Sequence, residues 1–136
     1  MGFAAHLRYH WMEPVVYNTM KYIPLAIMGG FTPKDVAIIH FFNITIGHLN
    51  HANINCDYGF LKYILNNPKM HIWHHAKELP IERKKGVNFG ITLSIWDYLF
   101  KTNYIPHNGR DIEIGFEGDH TFPKDFISQE LYPLKK

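Results

Sequence analysis

Hydrophobic positions cluster in long runs over the first half of the chain. One apolar run extends from about Val15 to Met28, and Gly29-Gly30 breaks it. Thr32-Pro33-Lys34-Asp35 then reads as a helix start. Thr32 suits the cap, Pro33 the first helical position, and Asp35 the third, where an acid reaches back to the cap. Val36 to Ile46 is nearly all apolar. A helix from Pro33 to about Asn53 would be about 30 Å long at about 1.5 Å per residue, close to the thickness of a bilayer core. Pro24 interrupts the first run, and His40, Asn43 and His48 interrupt the second. Two readings stay open: a pair of buried core helices, or a tight hairpin dipping into a membrane. On the second helix His40, Asn43, His48, His51 and Asn55 fall within an arc of roughly 140°. Such a stripe must face a partner, water or a metal, because unpaired polar groups are costly in apolar surroundings.

Asn67-Pro68 opens a further predicted helix by the same cap-then-proline logic, and Pro80 must end it. Gly86 to Gly90 reads as a turn, and Ile91 to Phe100 as another helix with Ile95/Leu99 and Trp96/Phe100 as neighbouring pairs. Three compositional parts result: an apolar, aromatic part (1–65), a histidine-bearing part (66–102) and a polar tail (103–136) punctuated by Pro106, Gly109, Gly115, Gly118, Pro123 and Pro133. The expected fold is all-α, a membrane-associated helical hairpin followed by histidine-bearing cytosolic helices and a polar C-terminal tail.

Composition narrows the classes. The 136 residues make one domain's length, 46% hydrophobic and 19% charged, which excludes a disordered chain. A formal charge of +2 argues against a nucleic-acid partner held through phosphates. The single Cys56 excludes a disulfide framework and a cysteine zinc finger. Ten histidines are the anomaly, and histidine is the commonest ligand for zinc, copper or iron. No G-x-S-x-G, G-x-G-x-x-G or Walker loop is present.

His71, His74 and His75 share one face of a helix at i, i+3, i+4, so three imidazoles converge while Trp73 points away. His48 and His51 add a second pair on the preceding helix, where satisfied core histidines are the alternative. His6 and His10 form a third pair beside Arg8 and Glu13, more in keeping with an ordinary polar network. Glu78, on the His71 face, and Asp97 are candidates to orient metal-bound imidazoles, or else solvated acids.

The run His71-Ile-Trp-His74-His75, then Asn88-Phe-Gly90, then Trp96-Asp97-Tyr-Leu-Phe100-Lys-Thr102, resembles the closing motifs of the fatty acid hydroxylase/sterol desaturase superfamily. Gly47-His48-Leu-Asn-His51-Ala52-Asn53 is similar to its H-[AS]-N stretch, Arg8-Tyr-His10-Trp-Met-Glu13 to its R-x-H-x-x-E, and Pro24-Leu-Ala with Gly30-Phe31-Thr32-Pro33 to its membrane hairpin. The resemblance implies a membrane-bound, non-haem di-iron oxygenase that uses O₂ and two external electrons to hydroxylate or desaturate a lipid C–H bond. It implies His48, His51, His71, His74 and His75 as metal ligands, zinc being a possible substitute for iron. His10, Asn53, Asn88 and Asp97 fall on motif positions, the last three with a positioning role.

The family's HxxxH box and first HxxHH box are not in the chain, which therefore reads as the C-terminal half of such an enzyme. A catalytically inactive fragment binding one metal or none is the rival expectation. A soluble zinc hydrolase built on three imidazoles is a third, disfavoured by the apolar hairpin. Lys69, Lys77, Arg83, Lys84 and Lys85 near the histidines favour the cytoplasmic side for them. The lipid and the electron donor are not written in the residues.

Overall fold

The structure, a computed structural model, describes residues 10–134. It is all-α. The helices are α1 (Met12–Met28), α2 (Pro33–His51), α3 (Pro68–His74), α4 (Ile95–Leu99) and α5 (Phe126–Glu130), joined by loops and short 3₁₀ turns. Among the described residues the only extended pairing is a single bridge between Ala76 and Ile114.

The helix starts follow their predicted chemistry. Gly30 takes φ +66°, the left-handed conformation that ends α1, and the Phe31 N–H reaches back to the Leu25 carbonyl. Asp35 accepts from the Thr32 N–H at 2.9 Å while its own N–H donates to Thr32 Oγ1 at 3.3 Å, a reciprocal cap on α2. The Thr32 hydroxyl, donating to the Asp35 carboxylate at 2.6 Å, and then the Thr32 N–H hold the Asp35 carboxyl below its usual range. Asn67 caps α3 by accepting from the Met70 N–H at 3.0 Å, with Pro68 behind it.

Two helices are shorter than expected. α3 ends at His74, well before Pro80, because the next backbone groups are taken elsewhere. The Gly115 N–H donates to the His75 carbonyl at 3.0 Å, and the Lys77 N–H to the Glu113 carbonyl at 2.9 Å. α4 begins at Ile95 and not Ile91, because the Ile91 and Thr92 carbonyls accept from Asn50 Nδ2 and the Asn66 N–H. Tertiary acceptors there outcompete helix propagation. α2 stops at His51, so Asn55 lies beyond it. None of the described helices is long and apolar enough to cross a membrane.

The described residues fall into two compact units, one of residues 41–116 and the other joining 10–40 to 117–134. In the second, α1 buries no residue. His10 Nε2 donates to the Glu130 carbonyl at 2.7 Å and the Trp11 N–H to the Glu130 carboxylate at 2.9 Å, and Tyr22 Oη lies 2.8 Å from His40 Nδ1.

In the unit of residues 41–116 the buried apolar side chains are Ile46, Pro68, Met70, Trp73 and Val87. Around them lie more buried polar residues: Asn50, His51, Asn66, Asn67, His71, Asn88, Ser94 and Asp97. The stretch from 103, expected as the start of a polar tail, belongs to this unit up to Phe116. Trp73 Nε1 donates to the His107 carbonyl at 3.0 Å. Gly109, at φ +68°, sits against Ile72 so closely that an added Cβ would lie 2.6 Å from Ile72 Cγ2. Only glycine fits both demands.

Candidate metal centre

α2 delivers His51 from its last turn and α3 delivers His71, with His75 at the residue that closes α3. His71 Nε2 lies 3.2 Å from His51 Nε2 and 3.1 Å from His75 Nε2. One ring nitrogen from each of the three comes within 4.8 Å of the others. His51 and His71 are buried and His75 half-buried.

The His51 ring is oriented from its own helix. His51 Nδ1 donates to the Gly47 carbonyl at 2.7 Å, one turn back on its own helix. That places the His51 lone pair on Nε2, aimed at the other two rings. Lone pairs converging at this range repel unless a proton or a cation lies between them. An all-imidazole donor set suits zinc, copper, iron or nickel. The residues therefore fit a transition metal.

The electrostatics keep the rings in their ligating form. Burial, then the neighbouring His74 and His51, push His75 down to about 4. Burial also lowers His51, against the bond to Gly47, which works the other way. Both are neutral at pH 7, as a ligand must be.

The other expected residues are placed as follows. His74 turns its Nδ1 away, donating to the Val87 carbonyl at 3.0 Å, and its ring stacks on His71 with centroids 5.5 Å apart. His48 stands one turn before His51, half-buried. Neither belongs to the three-nitrogen group. Glu78 was expected on the face of the histidines, but α3 has already ended and Glu78 is exposed. His10 is engaged with Glu130, and His6 lies outside the described residues. Asn53 accepts from the Arg110 guanidinium through its carbonyl and, at 3.4 Å, its Oδ1.

Asn88 and Asp97 form the frame behind α3. Asn88, at φ +54°, donates through Nδ2 to the Met70 and Tyr104 carbonyls and accepts from the Tyr104 N–H. It thereby ties the residue before His71 to the 104 segment. Asp97 accepts from the Phe89 N–H at 2.7 Å, the Gly90 N–H at 2.8 Å and Thr102 Oγ1 at 2.6 Å. It makes no bond to an imidazole; it closes the loop that carries Val87 and Asn88.

Sequence reasoning missed three members of this frame. Asn66 donates through Nδ2 to the Gly90 carbonyl at 2.7 Å, Ser94 Oγ donates to the Lys62 carbonyl at 2.6 Å, and Arg110 engages Asn53. Lone polar residues in loops show no periodicity to find them by.

A profile of the fatty acid hydroxylase family matches residues 1–102. An ornithine lipid hydroxylase, OlsE, of Rhizobium tropici is 30% identical over 132 residues, which cover 95% of this chain and 37% of that relative. The chain thus spans little more than a third of the relative's length. No solved structure matches.

Proposed function

The chain belongs to the fatty acid hydroxylase family, and from that premise we propose that it carries part of the site of a membrane-associated, non-haem di-iron oxygenase that hydroxylates a lipid C–H bond. The observation that carries this reading is the convergence of His51, His71 and His75 through their Nε2 atoms. In this reading those three residues hold metal and His48 and His74 complete the ligand set. Iron bound there supplies activation of O₂ with electrons from an external donor; zinc is the expected substitute from the same donor set. The relative's name favours hydroxylation over desaturation and makes an ornithine lipid the first substrate to try. The membrane setting follows from the family and the apolar hairpin, with the basic residues near the histidines facing the cytoplasm.

The chain's own residues prepare the site. Gly47 and Val87 fix the orientation of His51 and His74 by accepting their Nδ1 protons. Asn88 and Asp97 hold α3 and its flanking loop in register. Burial of His51 and His71 excludes water and keeps protons from competing for the ring nitrogens.

The test is metal content after loading with Fe(II) or Zn(II), compared between the wild type and His71→Ala and His75→Ala. The wild type is expected to bind and each variant to lose affinity by more than about tenfold. Equal metal content in all three overturns the assignment of ligands. Incubation with ornithine lipid, O₂ and a reductant then reads gain of one oxygen atom by mass spectrometry. Metal binding without oxygen gain overturns the hydroxylase reading for this polypeptide and leaves a metal-binding fragment.

A further inference from the structure

α4 turns its polar side inward. Ser94 and Asp97 are buried, and Tyr98 packs its ring on Tyr63 with centroids 5.1 Å apart. On the opposite side Ile95, Trp96, Leu99 and Phe100 are 46%, 53%, 64% and 70% exposed. At about 100° per residue these four span roughly 140° of arc and the three inward residues occupy the rest. The order is reversed from that of a helix on a water-facing surface. Phe60, on the 3₁₀ turn Gly59–Tyr63, extends the apolar surface at 78% exposed, and that turn is sewn to α4 by the Ser94 to Lys62 hydrogen bond.

Positive charge borders this surface at both ends. Lys62 lies on the 3₁₀ turn with its Nζ over the Tyr63 ring at 5.4 Å. Lys101 directly follows Phe100, and its carbonyl accepts from Arg83 at 2.7 Å, bringing the run Arg83-Lys84-Lys85 to the same end. Segments 59–65 and 81–102 carry these five basic residues against Glu82 and Asp97, and the Asp97 carboxylate points inward onto three donors. An exposed apolar face with an indole and a basic border has the chemistry of an interfacial membrane contact.

We propose that the outward face of α4, with Phe60 and the Lys62/Arg83–Lys85/Lys101 border, is a second lipid-contact surface on the histidine-bearing unit, resting on a bilayer surface that carries anionic headgroups. The apolar side chains enter the acyl boundary and the basic residues meet phosphates of the anionic cytoplasmic leaflet. The inference rests on the reading of the chain as membrane-associated.

The whole chain supplies its own reporters. Trp11 sits at the start of α1, Trp96 in the α4 face, and Trp73 is buried. Trp11→Phe leaves Trp96 reporting over a Trp73 background, Trp96→Phe leaves Trp11, and the double variant gives the background alone. Each is mixed with vesicles of acyl-brominated phosphatidylcholine, alone or with an equal part of phosphatidylglycerol. Trp96 is expected to be quenched, about twofold or more strongly on the anionic vesicles, with the difference lost at high salt. Quenching of Trp11 but not Trp96 overturns the α4 surface and leaves membrane association standing. No quenching of either overturns both. Equal quenching of Trp96 on neutral and anionic vesicles overturns the anionic partner, and shielding of Trp96 without lipid in a dimer assigns the face to a second copy instead.

Discussion

The unit of residues 41–116 and the helix α1 distribute polarity in opposite ways. Around the histidines, buried polar side chains outnumber buried apolar ones eight to five among the described residues. Nearly all of these polar groups bond to backbone: Asn50, Asn66, Asn88, Ser94 and Asp97 each bind peptide groups of a different segment. α1 buries nothing, and Ile27 and Met28 stand 77% and 87% exposed. One region is held by side chains that substitute for missing secondary structure. The other leaves its apolar residues exposed. Hydrophobicity alone therefore does not say which part of this protein is interior. A buried polar side chain is informative because it is costly unless paired, and here the pairing is what shapes the loops that carry the histidines.

The comparison predicts where substitutions are felt. Asp97→Ala leaves the Phe89 and Gly90 N–H groups and the Thr102 hydroxyl, all part-buried, without their acceptor. It is expected to cost about 3–5 kcal/mol, from donors stranded at about 1–3 kcal/mol each. Denaturant unfolding followed by Trp73 emission measures this, and a loss under 1 kcal/mol would break the claim that buried polar bonds hold the unit. Ile27→Ser, on the exposed face of α1, is expected to change stability in detergent-free buffer by no more than about 0.5 kcal/mol. It should at the same time reduce partition into vesicles. A clear stability loss in buffer would show that α1 is covered within the protein and would erase the contrast.

The smallest effect is electrostatic. Asp35 has its carboxyl lowered from 3.8 chiefly by the Thr32 hydroxyl, so the charged form is favoured in the folded state. Its contribution to the start of α2 is complete above 3.8 and disappears as pH falls through the lower folded value. The protection factor of the Val36 amide, its exchange relative to the intrinsic rate at each pH, is expected to fall at low pH in the wild type and to lose this dependence in Asp35→Asn.

Much of this molecule was legible in the residues. The break at Gly29-Gly30, the caps at Thr32 and Asn67, and the histidine runs were readable because helix starts and i, i+3, i+4 spacing are local. The ends of α3 and α4 were not, because they are decided by Gly115 and Asn50, residues distant in the chain that claim the backbone groups a longer helix would use. The composition of the histidine group follows the same division. Spacing put His71, His74 and His75 on one face; folding brings His51 from the end of α2 to His71, while the Val87 carbonyl accepts from His74 Nδ1.

The sequence by itself determined the helical class, the hairpin break, the family and the two stretches from which the histidines come, since each depends on neighbours within a few residues. The tertiary structure decided which three nitrogens meet, where α3 stops and α4 starts, and that Asn88 binds backbone groups and Asp97 binds backbone N–H groups and the Thr102 hydroxyl. Those outcomes depend on which distant carbonyl or amide is within hydrogen-bond reach. No local pattern encodes that reach, because it exists only once the chain has closed on itself.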